Sequence, residues 1–277
     1  MSKIFIRVIG DYGPLGDMAF AEVTDRLHAQ VRDAGVTDYN LHLSSVPAFD
    51  TYATGFMLAQ LAINSPLGKD HLFYVNTAPR KDNKSARVNN EGEGLVYVRL
   101  TNGVQIVAVN SGYSLSLVKP FAAEIRKLNV DVAGSQFRSR DNFPQALGAV
   151  LKGDKSIMGA DVAHAISDEF PKNRVVYTDG YGNLKCSIDP ADIEKDKGNR
   201  VHVHLENSSE QIPILVGAGI FDVVDGEFCF AKGSSGWTLP NGLKMEFSEV
   251  IKRGGSAAQA FNNPKGGDKV EWRLVPR

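Results

Sequence analysis

Two cysteines, Cys186 and Cys229, are all that the 277 residues contain. So small a supply excludes a disulfide-stapled scaffold. With no Cys-x-x-Cys spacing it offers no zinc or redox motif either, and two ordinary buried thiols in a reducing compartment are expected. No apolar run reaches the roughly 18–20 residues that cross a bilayer. The opening MSKIFIRVIGDYG lacks the charged and apolar regions of a secretory leader and reads directly as a strand. Surplus positive charge is also missing. A formal net charge of −1 argues against a broad phosphate-binding face. No Gly-x-Gly-x-x-Gly follows the first strand and no Gly-x-Ser-x-Gly elbow occurs; Gly112-Tyr113-Ser114 lacks the second half of one. His202-Val203-His204 would place two imidazoles on one strand face. Without a third ligand at useful spacing, a surface pair is expected rather than a metal site. These absences leave a cytoplasmic protein with no metal, no nucleic acid and no membrane among its partners.

The composition suits a folded chain: 43% hydrophobic and 23% charged, long enough for two modest domains. Residues 4–9 form a short apolar run expected of a buried parallel strand. A helix should follow, with Asp17 as its cap and Phe20, Val23, Leu27, Val31 and Ala34 on one face. A strand at Tyr39–Leu43, a helix after Asp50 with Phe56, Met57 and Leu61 as its stripe, and a strand at His71–Val75 continue the alternation, which implies a parallel sheet. The stretch 76–93 is polar throughout and long for a loop inside a domain, hence functional or disordered. Asn102-Gly103, between β-rich runs at Gly94–Leu100 and Val104–Val109, signals a hairpin. A short helix is expected at Tyr113–Lys119, and a longer one through Leu151 capped by Asp141 or Ser139. Beyond Phe170-Pro171 come short β runs at Val175–Thr178, Asn183–Ile188, Arg200–Leu205, Gln211–Val216 and Glu227–Ala231, then a helix about Ser256–Phe261. The reading is therefore α/β: an N-terminal parallel or mixed sheet flanked by helices over 1–171, and a small antiparallel β domain, barrel or sandwich, over 172–273. Leu274-Val275-Pro276-Arg277 matches half of a common protease-cleavage linker and is set aside as a cloning scar.

Three polar constellations fall where strands should end: Asp11–Asp17 after the first strand, Asn76–Arg87 after the third, and Phe137–Asp141 before a helix. In open α/β sheets that edge is where ligands bind. Each alone is an ordinary loop, and their convergence is what suggests a site. Arg80, Lys81, Lys84 and Arg87 are interleaved with Asp82 and lack stacking aromatics. A solvated loop or a lid that orders on ligand fits them better than a nucleic-acid patch. Asp179-Gly180-Tyr181-Gly182-Asn183, by itself, is a turn.

In order along the chain, these elements resemble those of the S-adenosylmethionine hydrolases and the related fluorinating and chlorinating enzymes. Gly10-Asp11-Tyr12-Gly13 looks like the family's Asp-Phe-Gly turn, and Asp179–Asn183 like its Asp-x-Phe-Gly-Asn turn. Asn110-Ser111-Gly112 stands where the family carries a Pro-(Asp/Asn)-Asn-Gly turn. Phe137–Pro144 resembles its Phe-His-Gly-Arg-Asp-x-Phe-Ala-Pro segment. Gly233-Ser234-Ser235-Gly236 resembles its Asn-Ser-x-Gly, with Gly254–Ala258 after it. The resemblance spans about residues 4–260. It implies a homotrimer, with the ligand between the N-terminal domain of one subunit and the C-terminal domain of its neighbour. It also implies roles: Asp11 on the ribose hydroxyls with Phe49 stacking nearby, Asp179 on the methionine ammonium, Asn183 on adenine, and Ser234 at the carboxylate end. Tyr181 and Ser235 join this binding set. S-adenosylmethionine would be substrate or ligand, with no further cofactor. A sulfonium and an ammonium call for carboxylates, so the assignment is physically sound.

Departures fall on the catalytic positions. The family's hydrolases use an Asp-Arg-His set. Here the Asp position is Asn76, the His position is Arg138, and the Arg is either Arg87 or Arg80. Neither Asn nor Arg serves as a general base at neutral pH. Yet the leaving group is a neutral thioether, so no general acid is needed, and a nucleophile held in line at the 5′ carbon would suffice. Arg138 and a loop arginine would hold hydroxide or another anion, with Asp82 a substitute base. Ser139 falls near the serine of the halogenating members. The expectation is a hydrolase giving adenosine and methionine. A binding protein without turnover, and an enzyme with a different nucleophile, stand as the alternatives.

Overall fold

The computed structural model describes residues 3–78, 93–131 and 135–275. It divides into two compact units, Met1–Asp168 and Glu169–Arg277.

The first unit is a mixed sheet of seven strands flanked by helices. β1 (Ile4–Gly10) lies between β2 (Tyr39–Ser45) and β3 (His71–Asn76), parallel to both. α1 (Met18–Asp33) leads from β1 to β2. Its cap is Asp17, whose carboxylate accepts from the Ala19 amide, and its buried face is Phe20, Val23, Leu27 and Val31. That is the predicted stripe as far as Val31; Ala34, its expected last member, is instead the half-buried C-cap. α2 (Thr51–Ile63) is capped by Asp50 and leads to β3. Phe56 is buried as expected, together with the apolar Ala53, Leu58, Ala59 and Ala62, but Met57 and Leu61 of the expected stripe are only half-buried. The helix is apolar nearly all round, so periodicity could not choose its inner face. β4 (Leu95–Leu100) and β5 (Gln105–Val109) form the Asn-Gly hairpin, and β5 then pairs in parallel with β3. β6 (Ala122–Leu128) and β7 (Met158–Asp161) complete the sheet.

Two helix expectations are corrected. Residues 113–118 form consecutive turns rather than a helix. The helix expected through Leu151 is present as α4 (Pro144–Lys152), but it starts at Pro144 with Phe143 as its N-cap, and a separate one-turn helix, α3 (Arg138–Asp141), precedes it. Neither Ser139 nor Asp141 caps: Asp141 accepts instead from Arg140 at 2.7 and 3.0 Å and from Ser135 at 2.7 Å.

The second unit is one curled seven-stranded sheet. Its strands are β8 (Val175–Thr178), β9 (Leu184–Cys186), β10 (Arg200–Leu205), β11 (Gln211–Val216), β12 (Phe228–Thr238), β13 (Lys244–Lys252) and β14 (Val270–Leu274). Backbone bonds from Val175 to Asp268 and from Val270 to Asn173 draw its outer strands together at one end. One pairing departs from the expected antiparallel pattern: β11 and β12 are parallel, joined by the loop 217–227. Two short helices, α5 (Pro190–Glu194) and α6 (Ala257–Ala260), complete it. Leu274, set aside above with the terminal tetrapeptide, pairs with Val201, and Val275 donates to Arg200. Cys186 and Cys229 are both free and buried; burial, followed by the charge of Asp222, pushes the Cys229 thiol up to about 11.

Candidate functional site

The chain leaves β1 for β2 on one side and returns through α2 to β3 on the other. The strand order therefore reverses between β1 and β3, the position where open α/β sheets form a ligand crevice. Gly10 is in register with both Ser45 and Asn76, so the loops after all three strands begin at one level.

Asp11 binds these loops together. Its amide donates to the Asn76 carbonyl at 3.2 Å. Its Oδ2 accepts from the Phe49 amide and from the Ala78 amide, each at 3.0 Å. One carboxylate thus fixes the turns that follow β2 and β3. Phe49 is held with φ at 64°, a conformation costly for a residue with a Cβ, and the residue is 36% exposed. Ser45 adds a further tie, its hydroxyl donating to the Gly13 carbonyl at 2.5 Å.

Next to Asp11, the Tyr12 ring meets Phe20 and Phe137 edge-on, with centroids 5.0 and 5.9 Å away. This contact brings α3 to the edge. Ser139 is buried, and its carbonyl accepts from the Tyr74 hydroxyl at 2.7 Å. Burial raises both phenols, Tyr12 and Tyr74, above their ordinary range; Ser139 opposes the rise at Tyr12 and the Asp11 charge adds to it. Both are therefore neutral at physiological pH, able to donate hydrogen bonds but not to act as bases. Arg138 opens α3 half-buried, its guanidinium 5.8 Å from the centre of the Phe143 ring. Arg140 is committed elsewhere: it pairs with Glu22 at 3.0 Å and with Asp141, which it holds down to about 2. The sequence reading thus has Asp11, Phe49, Asn76, Arg138 and Ser139 on elements joined at one sheet edge. Arg80, Asp82 and Arg87 lie outside the described residues.

A second cluster lies in the second unit. The Asp179–Asn183 turn folds around its own carboxylate. Asp179 Oδ1 accepts from the Tyr181 and Asn183 amides at 2.9 and 3.0 Å, and Oδ2 from the Asn183 side-chain amide at 3.0 Å. Gly182 sits at φ 80°, and a Cβ there would lie 2.0 Å from the Ser256 hydroxyl, so only glycine closes the turn against the cap of α6. Tyr181 projects from the tip, 83% exposed. Gly233–Gly236 is a bulge in β12: the register with β13 shifts between Lys232 and Gly236. Such irregularities re-aim side chains at sites. Ser234 is exposed and Ser235 half-buried. The bulge and the turn are connected by two residues that the sequence reading passed over. Lys185 and Glu249, both buried, form an ion pair; Glu249 also accepts from the Ser234 amide at 3.3 Å, and Lys185 lies 3.9 Å from Asp179.

With this geometry in view, likeness to known proteins can be stated. No family model matches the chain. No curated protein matches it. Two solved structures share its architecture from end to end. An uncharacterized conserved protein from Thermotoga maritima superposes with a TM-score of 0.66 at 19% identity, covering 96% of this chain and 99% of the other. A conserved hypothetical protein from Thermus thermophilus does so with a TM-score of 0.64 at 17% identity, covering 98% of this chain and 100% of the other. At such identities the likeness shows the fold alone.

Other candidates carry less. His202 and His204 lie on β10 opposite Arg273 and Glu271. Among the described residues, no group of three His, Cys, Asp or Glu is placed to hold a metal ion. No helix among them is long and apolar enough to cross a membrane.

Proposed function

We propose that the protein binds S-adenosylmethionine and cleaves it at the ribose 5′ carbon, with water or hydroxide as nucleophile, giving adenosine and methionine. The observation that carries this reading is Asp11: a carboxylate at the strand-order reversal, held in one orientation by the amides of two neighbouring loops. A fixed carboxylate is suited to the paired hydroxyls of a ribose, and Phe49, strained and part-exposed beside it, to the face of the nucleoside. The Asp179 turn, with Asn183, Tyr181, Ser234 and Ser235, is assigned the amino-acid end and the adenine edge.

The chemistry asked of the protein is modest. The sulfonium leaves as a neutral thioether, so catalysis consists of aligning the nucleophile and stripping its water. Arg138 would hold hydroxide electrostatically, with Ser139 and Asn76 as its neighbours on the same edge. Arg80 or Arg87 would add a second cation. Both clusters act on one ligand in the homotrimer that the resemblance implies, and a cytoplasmic setting supplies the substrate.

Asn76 favours a second reading, a binding protein without turnover, because an amide cannot take a proton from water. Incubating the purified protein with S-adenosylmethionine and following adenosine by chromatography separates the two. Adenosine formation that depends on Arg138 supports cleavage. Thermal stabilisation by the ligand with no adenosine above background leaves only binding, and neither effect refutes both readings.

A further inference from the structure

The second cluster contains a charge arrangement that the roles above do not use. Two carboxylates, Asp179 and Glu249, share one cation, Lys185. Lys185 is 8% exposed and Glu249 5%, so neither charge is relieved by bulk water. Lys185 stands between the fully buried Leu184 and Cys186 on β9, a strand that could have been apolar throughout. Glu249 is pressed against the β12 bulge: a Cβ on Gly233 would come 2.4 Å from its Oε1, and the same oxygen accepts from the Ser234 amide. The bulge, the ion pair and the turn are therefore one connected polar unit carrying two negative charges and one positive.

We propose that Glu249, by neutralising the buried Lys185, leaves the Asp179 turn with one net negative unit, and so keeps that turn selective for a ligand bearing an ammonium group. The inference rests on the reading that the turn receives the amino-acid end of S-adenosylmethionine. Asp179 alone is poorly suited to that task, since its oxygens already accept three hydrogen bonds from its own turn. The attraction for a cation comes from the cluster's net charge rather than from one free carboxylate. In a site of intermediate dielectric, one unit of charge several ångströms from an ammonium changes affinity by about tenfold. Lys185 and Glu249 are thus positioning and charge-setting residues.

Net charge and structural support can be separated, because they predict different orders among variants. Glu249→Gln keeps the acceptor for Ser234 but leaves the cluster neutral. Replacing both partners, Lys185→Met with Glu249→Met, removes the pair yet restores the single negative charge of Asp179, an exchange that buried pairs often tolerate. Binding of S-adenosylmethionine and of adenosine, which lacks the ammonium, is measured by calorimetry on the full-length protein and both variants. Circular dichroism confirms the fold. The expected result is a loss of about tenfold in the preference for S-adenosylmethionine over adenosine in Glu249→Gln, and recovery to within about threefold of the parent in the double variant. A preference that Glu249→Gln leaves unchanged, or that falls equally in both variants, overturns the inference while leaving the proposed function standing. A parent protein that binds neither compound overturns both.

Discussion

Replacing Asp11 by alanine tests the architecture and the proposed site at once. The carboxylate accepts two backbone amides from loops otherwise separated by the width of β1. Hydrogen bonds to a charged acceptor contribute about 1.5–3 kcal/mol each. Asp11 is only half-buried and water can replace part of each bond, so a loss of roughly 2–4 kcal/mol is expected rather than the full sum. For a unit of this size that lowers the thermal midpoint by about 5–12 °C. Asparagine keeps an acceptor without the charge and should lose about half as much. Asp25→Ala, an exposed carboxylate on α1, serves as the control and should shift the midpoint by less than about 2 °C. Calorimetry gives the midpoints. Amide hydrogen exchange gives the mechanism, because protection should fall specifically at Phe49 and Ala78. If Asp11→Ala melts with the parent and those two amides keep their protection, Asp11 does not brace the edge, and the case for a preformed nucleoside site fails with it.

Three more outcomes follow from the geometry. Phe49→Gly relieves a positive φ but removes the exposed ring, so stability should change by less than about 1 kcal/mol while affinity for adenosine falls; loss of stability without loss of affinity would assign the ring to the core. Gly182→Ala should destabilise by at least ~2 kcal/mol, through both its φ and the approach of Ser256, and Ser256→Gly should recover part of that in a double-mutant cycle. His71 is held down to about 4 by burial, then by the charges of Arg7 and His42, so the folded chain binds fewer protons than the unfolded one between about pH 6.5 and 4. Its contribution is complete above pH 6.5 and is lost as pH falls toward 4, at up to about 1 kcal/mol per pH unit; urea titrations in that window should show a slope that His71→Gln flattens.

Much of the first sheet was legible because its signals are local. Asp17 and Asp50 precede helices and cap them, and Asn102-Gly103 turns the hairpin it announces. The strands that went unread lack such signals. β6 (AAEIRKL) carries alanine and alternating charges that suit a helix equally well, and only its pairing with β4 decides the matter. β13 (KMEFSEVIK) and β14 (VEWRL) are half polar and become strands through β12 and β10. The parallel pairing of β11 with β12 depends on how the loop 217–227 crosses, which no short window of residues encodes.

The candidate site divides in the same way. Turn residues reveal themselves by type: an Asp or Asn among glycines reads as a turn, and the family resemblance marks which of these turns are candidates for a ligand. Lys185 does not, since a lone lysine in a β run ordinarily faces water. The signal was present but incomplete. Leu184, Lys185 and Cys186 form a strand too short for alternation to establish which side faces inward, and the partner Glu249 lies on a strand the sequence did not disclose. A buried charge is legible only once its counter-charge is placed, so the residues that set a site's electrostatics are the last to emerge from sequence. That is why the polar turns around Asp11 and Asp179 could be named in advance while the ion pair joining the Asp179 turn to the Ser234 bulge could not. It is also why substitutions at Lys185 and Glu249, rather than at the turns themselves, best distinguish a site organised around a cation from a pair of well-made loops.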